Sequence, residues 1–237
     1  MDIAALPYCG GPPGPAELVW RWNLDPVLIL LLAGLGAILY RAGARSAPLA
    51  CGLAVLVALF VSPLCALSSS LFSMRVTHHV LLTALAAPLF AMSLPTNGNR
   101  PWLWAAIHAA VFWAWHSPAA YAFALADHGA YWLMQISLFG TALGLWRAIR
   151  GTHAPVAVGV LLATMVQMGL LGALLTFAGT PLYNWHATTT QAWGMTPLAD
   201  QQLAGLIMWV PGSAIYLIAA LRVASGWLDR NARPAPA

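Results

Sequence analysis

Two adjacent histidines, His78 and His79, stand in an apolar run that carries few other ionisable groups. His108 and His116 follow eight residues apart, close to two helical turns, so they lie within about 80° of one another around a helix. Met134 and Met208 place thioethers in later apolar runs. Imidazole with thioether is a soft donor set that selects copper(I) over magnesium or calcium. His78, His79, His108, His116, Met134 and Met208 are therefore the candidate copper ligands. Each has a plainer explanation beside it. Methionine is a common filler of apolar cores, and a buried histidine is often satisfied by a neighbouring carbonyl. His128 and His186 are loop candidates, and His153 reads as a cytosolic-loop residue. A rival use of the same residues is bis-imidazole ligation of a haem by His79 and His108, which match in depth. No HExxH, P-loop, GxSxG or paired-carboxylate pattern is present, so no enzyme is predicted.

The elements that would position these groups follow from composition. Of 237 residues, 61% are apolar and 7% charged, with mean hydropathy +0.76. A soluble domain carries roughly a quarter charged residues and could not hide this much apolar surface. An all-α integral membrane protein is predicted. The chain has ten arginines and no lysine, scattered singly, so its net charge of +4 forms no stripe for nucleic acid. Three cysteines without a CxxC do not make a disulfide scaffold. Apolar runs near 26–41, 47–67, 72–94, 101–116, 129–149, 155–179 and 199–224 approach the ~20 residues a helical span needs. They are continuous rather than alternating, which excludes a β-barrel. Pro, Gly and Arg punctuate the breaks, and Asp25-Pro26 reads as a helix start. The expectation is one seven-helix bundle over residues 26–224, with a periplasmic tail at 1–25 and a cytoplasmic tail at 225–237. Residues 1–25 contain no apolar signal-peptide core and read as a tail.

With seven spans the connections alternate sides. Arg41, Arg45, Arg100, Arg147, Arg150, Arg222, Arg230 and Arg233 then fall on one side, eight of the ten. The positive-inside rule makes that side cytoplasmic and puts the N-terminus outside. Most of the intramembrane polarity, His79 included, lies toward the outer half. Asp200 is read as serving the start of the last helix.

Several segments resemble CtaG-like cytochrome c oxidase assembly factors. They include Tyr8-Cys9-Gly10, Trp22-Asn23-Leu24-Asp25-Pro26, Phe72-Ser73 with His79, Ala87-Pro88-Leu89, Trp115-His116-Ser117-Pro118 and Pro181-Leu182-Tyr183. The most specific runs from Gly194 through Asp200-Gln201-Gln202 to Met208-Trp209-Val210-Pro211. The resemblance implies a seven-helix protein of the bacterial inner membrane that helps copper reach a haem-copper oxidase. Its implied partners are cytochrome c oxidase subunits, periplasmic copper chaperones and the bilayer. By position His79 matches the second histidine of the third-span motif and His116 the histidine before Pro118. Asp200, Gln201 and Met208 match the last-span motif. Arg75 stands where members often carry histidine, and Met134-Gln135 where they often carry Glu-His, so two nitrogen donors are missing. A chaperone of oxidase subunits that holds no metal is the remaining alternative. Cys9 and Cys65 share the outer side, where they could pair, bind metal or stay free.

Overall fold

The computed structural model describes residues 7–96 and 100–232, and among these every regular element is helical. The helices are α1 (Pro26–Arg41), α2 (Ser46–Phe60), α3 (Leu64–Ser70) and α4 (Phe72–Ser93). They continue with α5 (Pro101–Trp115), α6 (Pro118–Ala126), α7 (His128–Arg150), α8 (Ala154–Phe177) and α9 (Pro197–Ala232). Prolines open α1, α5, α6 and α9, where the missing N–H has no partner to lose. Asp25 accepts from Val27 N at 2.8 Å, Asp127 from Ala130 N at 2.7 Å and Thr196 from Ala199 N at 3.1 Å, so three starts are capped as their residue types suggest. Residues 97–99 of the linker before α5, and Arg233, lie outside the described residues.

Each of the seven apolar runs is helical, but they are not equally fit to cross a bilayer. α4, α8 and α9 are long and apolar enough on their own, and α2 with α3, bent by 45°, makes a fourth candidate. The difference from seven has physical causes. α1 and α5, at 16 and 15 residues, reach only about 24 and 22 Å, short of the ~30 Å hydrocarbon core. α7 has 23 residues but carries Gln135, Ser137, Thr141, Arg147 and Arg150. It tolerates them because Tyr131, Met134, Gln135, Leu138, Ala142 and Leu145 are buried against α4, α5 and α6. A helix enclosed by protein does not need an apolar coat.

Two helices contain a π turn. In α4 it spans Leu82–Ala86, and the freed carbonyl of Thr83 accepts from Trp146 Nε1 at 2.9 Å. In α9 it spans Met208–Gly212, where Pro211 cannot donate to the preceding turn. Elsewhere α8 and α9 cross closely. A Cβ on Gly172 would stand 2.8 Å from Gly205 O and 2.9 Å from Trp209 N.

Contacts sort the connections into two ends. At one end a strap of residues 7–25 is joined to α3 by the Cys9–Cys65 disulfide, and Asn23 Nδ2 donates to Phe60 O at 3.0 Å. At the other, Arg45 N donates to Ser93 O at 2.9 Å, while Arg150 holds the carbonyls of Ala91 and Leu94 and Arg147 reaches Pro95 O at 3.3 Å.

The crossing of α8 and α9 gives a stability prediction. Gly205→Val is expected to lower the thermal midpoint in detergent, at a cost of about 1–3 kcal/mol. Gly34→Val on α1, where an added Cβ meets nothing within 4 Å, is expected to leave it within error. Equal midpoints for the two variants would refute the close crossing.

Candidate functional site

The site begins with how α4 is held. Leu71 is extended (φ −126°, ψ 132°), so α3 and α4 are separate helices and α4 starts without a side-chain cap of its own residue. Asp200, on the first turn of α9, supplies one. Its Oδ2 accepts from Phe72 N at 2.6 Å, and its Oδ1 accepts from Ser73 N at 3.1 Å and from the Ser73 hydroxyl. The expectation that Asp200 serves its own helix is corrected here: Thr196 caps α9, and the carboxylate stabilises the positive end of α4 instead. Gln201 clamps the loop after α8. Its Oε1 accepts from Leu182 N at 2.6 Å and its Nε2 donates to Leu175 O and Thr180 O, both at 3.4 Å.

Below that cap, α4 carries Arg75, His78 and His79, all buried. His79 and His116 of the α5 end are brought together, with ring centroids 5.8 Å apart, and His78 lies 6.0 Å from His79. His116 Nδ1 donates to Phe112 O at 2.7 Å, which leaves Nε2 as the free donor atom of the ring. The nitrogens of His78 and His79 have no hydrogen-bond partner among the described residues, nor has the Gln135 amide. His78 is buried and packs edge-on against Phe60 at 4.9 Å. His108 is not part of this group. Its Nδ1 pairs with Thr141 Oγ1 at 2.9 Å, and the Phe112 ring lies between it and His116, 6.2 Å from the one and 4.4 Å from the other. Met134 on α7 and Met208 in the α9 π turn are fully buried. Among the described residues no three His, Cys, Asp or Glu side chains gather as a metal group.

Arg75 sits in the middle of this polarity with no exposed surface. Its nitrogens make no hydrogen bond of ordinary geometry, and its guanidinium carbon lies 5.4 Å over the Tyr131 ring. Tyr121, His78, His79 and His186 are within its electrostatic reach. His186, from the loop between α8 and α9, accepts from the Tyr121 hydroxyl at 2.7 Å and donates through Nδ1 to Ser70 O at 3.2 Å. His128 stands edge-on to Tyr8 at 5.7 Å, and His153 is the exposed N-cap of α8 at the opposite end.

The strap covers the group. Tyr8 stacks on Tyr131 at 5.1 Å and donates to Asp25 Oδ2 at 2.6 Å, which holds that carboxyl below its ordinary range. Pro13 O accepts from Ser70 Oγ at 2.9 Å and from Trp193 Nε1 at 3.2 Å. Of the uses left open for Cys9 and Cys65, they pair. Tyr121 and Tyr131 are members that the sequence did not single out, and Tyr8 and Tyr183 stood there only within resemblance motifs, with no role at this centre. They come from four separate segments with no spacing in common, so only the folded chain assembles them.

A bundle of apolar helices around one buried polar centre defines a multi-pass helical membrane protein. Residues 99–230 match the cytochrome c oxidase caa3 assembly factors, and with more than half its length in that match the chain belongs to this family. No curated protein and no solved structure matches the chain. The matched segment holds His108, His116, Asp200, Gln201 and Met208, whereas Arg75, His78 and His79 precede it.

Two predictions follow from this geometry. Asp200→Ala leaves two buried N–H groups and a hydroxyl unpaired, and is expected to destabilise the protein by about 2–3 kcal/mol. Asp200→Asn should recover part of that in the same unfolding measurement; a neutral Ala variant would refute the cap. Burial pushes the His186 imidazole down from 6.5 to about 4. Between those values the unfolded chain binds a proton that the folded loop does not, so stability is whole above pH 6.5 and falls as the pH drops toward 4. His186→Gln should flatten the unfolding midpoint between pH 6.5 and 4.5, and an unaltered slope would count against this assignment.

Proposed function

We propose that this chain crosses a bacterial inner membrane seven times and helps copper reach cytochrome c oxidase at the outer face. In this reading the strap end is periplasmic and the arginine end cytoplasmic. The seven apolar helical runs, with α2 and α3 counted as one bent span, each link the strap end to the arginine end. α1 and α5 fit a bilayer that thins locally or is met by interfacial Trp and Arg side chains. Eight of the ten arginines then satisfy the positive-inside rule.

The observation that carries the copper reading is the His79–His116 pair, two imidazoles from different helices at 5.8 Å with nitrogen lone pairs available. Copper is cargo here, and copper(I) accepts as few as two soft or borderline donors. Arg75 repels any cation at the pair, and a doubly charged ion twice as strongly as a singly charged one. The pair therefore favours monovalent copper and holds it weakly, as a transfer step requires. His78, Met134 and Met208 are the further donors the ion would meet in the buried centre, while His108 is held by Thr141. Asp200 and Gln201 position the outer ends of α4 and the α8–α9 loop. Cytochrome c oxidase subunits would receive the copper, and periplasmic copper chaperones would supply it. His79 meets the His116 ring, and His108 pairs with Thr141 instead, which favours copper over a haem ligated by His79 and His108.

Anaerobic titration of the purified protein with Cu(I), against a chromophoric Cu(I) chelator, tests this. One equivalent should bind, and His79→Ala and His116→Ala should each weaken it at least about tenfold, with His153→Ala unchanged. Equal retention by wild type and His79→Ala would leave a metal-free chaperone of oxidase subunits. A Soret band in the purified protein would make it a haem protein instead.

A further inference from the structure

At the end opposite the strap, a cavity of about 330 Å³ opens between α7, α8 and α9. Arg150, Arg222 and Arg230 border it, and Ile149, Leu161, Ala219 and Val223 form apolar walls. Among the described residues no carboxylate lines it; Asp229, next to Arg230 in sequence, is exposed. Arg150 is anchored on the carbonyls of Ala91 and Leu94, and Arg45 and Arg147 add to the positive field around it. Arg230 lies over Gly226, where an added Cβ would stand 3.6 Å from its Nη1. The N-terminus of α8 also borders the cavity through Thr152 and Ala154, and His153 provides no side-chain cap for its first N–H groups. Three guanidiniums and the positive end of a 24-residue helix thus surround one space without a counter-charge among the described residues.

We infer that this cavity binds the phosphodiester headgroup of an anionic phospholipid. Arg222 and Arg230 would take the phosphate oxygens, with the N–H groups at the start of α8 as further donors. The apolar walls distinguish a lipid from a free anion. A soluble phosphate gains nothing from Leu161 or Val223, whereas a glycerol backbone and the first acyl carbons do. Ile218, 51% exposed and one turn before Arg222 on the same side of α9, continues that apolar face away from the arginines, along the path an acyl chain would take. Trp227, 40% exposed one turn beyond Val223, has the amphipathic character of a residue at headgroup level. A basic pocket between helices at the cytoplasmic end is the arrangement that recognises phosphate-bearing lipids.

The full-length protein in detergent is titrated with phosphatidylglycerol, with phosphatidylcholine of the same chains, and with inorganic phosphate. Native mass spectra and the unfolding midpoint are recorded for each. Phosphatidylglycerol should stay bound and raise the midpoint, and the other two should not. The double variant Arg222→Gln, Arg230→Gln should weaken its retention about 25-fold. Gly226→Leu, which fills the cavity with the charges intact, should weaken it too, and Arg41→Gln at the same end should leave it unchanged. Equal retention of phosphatidylcholine overturns the proposal. So does the same midpoint rise with inorganic phosphate, or an Arg41→Gln loss as large as the double variant's, which would mean general surface charge.

Discussion

The whole polar centre depends on one carboxylate serving a helix other than its own. Asp200 belongs to α9, yet its oxygens satisfy the first two backbone N–H groups of α4. In an apolar surround an unpaired N–H costs a few kcal/mol, so α4 cannot start at Phe72 unless α9 is docked against it. This makes the rotation and depth of α4 a property of the α4–α9 contact. Arg75, His78 and His79 lie within two turns of that contact, which fixes where their side chains enter the bundle. Gln201, one residue on, secures the α8–α9 loop that brings His186 and Tyr183 to the same place.

Arg75 is the second constraint. A buried guanidinium without a carboxylate partner is costly, and here it is met by the Tyr131 ring, the phenols around it and the strap above. Tyr121 lies within electrostatic reach of both Arg75 and Asp200. The strap explains how so polar a group stays dry. Tyr8 stacks on the ring that faces Arg75, and the Cys9–Cys65 bond keeps that lid in place. The motif segments at residues 8–10 and 22–26, far from the histidines in sequence, therefore belong to the same structural unit as the buried pair.

What could be read in advance followed from local rules. The seven apolar runs located eight of the nine helices, with α2 and α3 merged into one run, because most runs end at Pro, Gly or Arg; α6, between Ser117-Pro118 and Asp127, lies in none of them. Rise per residue converts position to height, and that depth matched His79 with His108, whereas the fold brings His79 to His116. Depth says nothing about azimuth, and this is why His108 failed to join them. It lies two turns from His116 on the same helix, but its ring turns to Thr141 of α7. The direction of Asp200 was hidden for a related reason: a carboxylate in a first turn usually serves its own helix, and only the α4–α9 packing reveals the nearer demand. Span number was obscured by burial, because α7 can afford its polar residues only when enclosed.

The two π turns complete the logic of the centre. A π turn holds one residue more than an α-helical turn, which rotates everything after it by about 100° relative to a regular helix. In α4 the turn begins three residues after His79, so the polar first half and the apolar second half, with Ala86, Ala87 and Phe90 buried, can both face inward. In α9 the turn begins at Met208 and ends at Gly212, whose bare backbone allows close approach of Met168 Cε, 3.2 Å from where a Cβ would be, and of Val80, at 3.6 Å. Val80 immediately follows His79. The helix bearing the imidazole pair and the helix bearing its cap are thus re-aimed at adjoining levels and packed through a glycine. Regular α-helices of the same sequence would keep either the Asp200 cap or the apolar packing beneath the histidines, but not both.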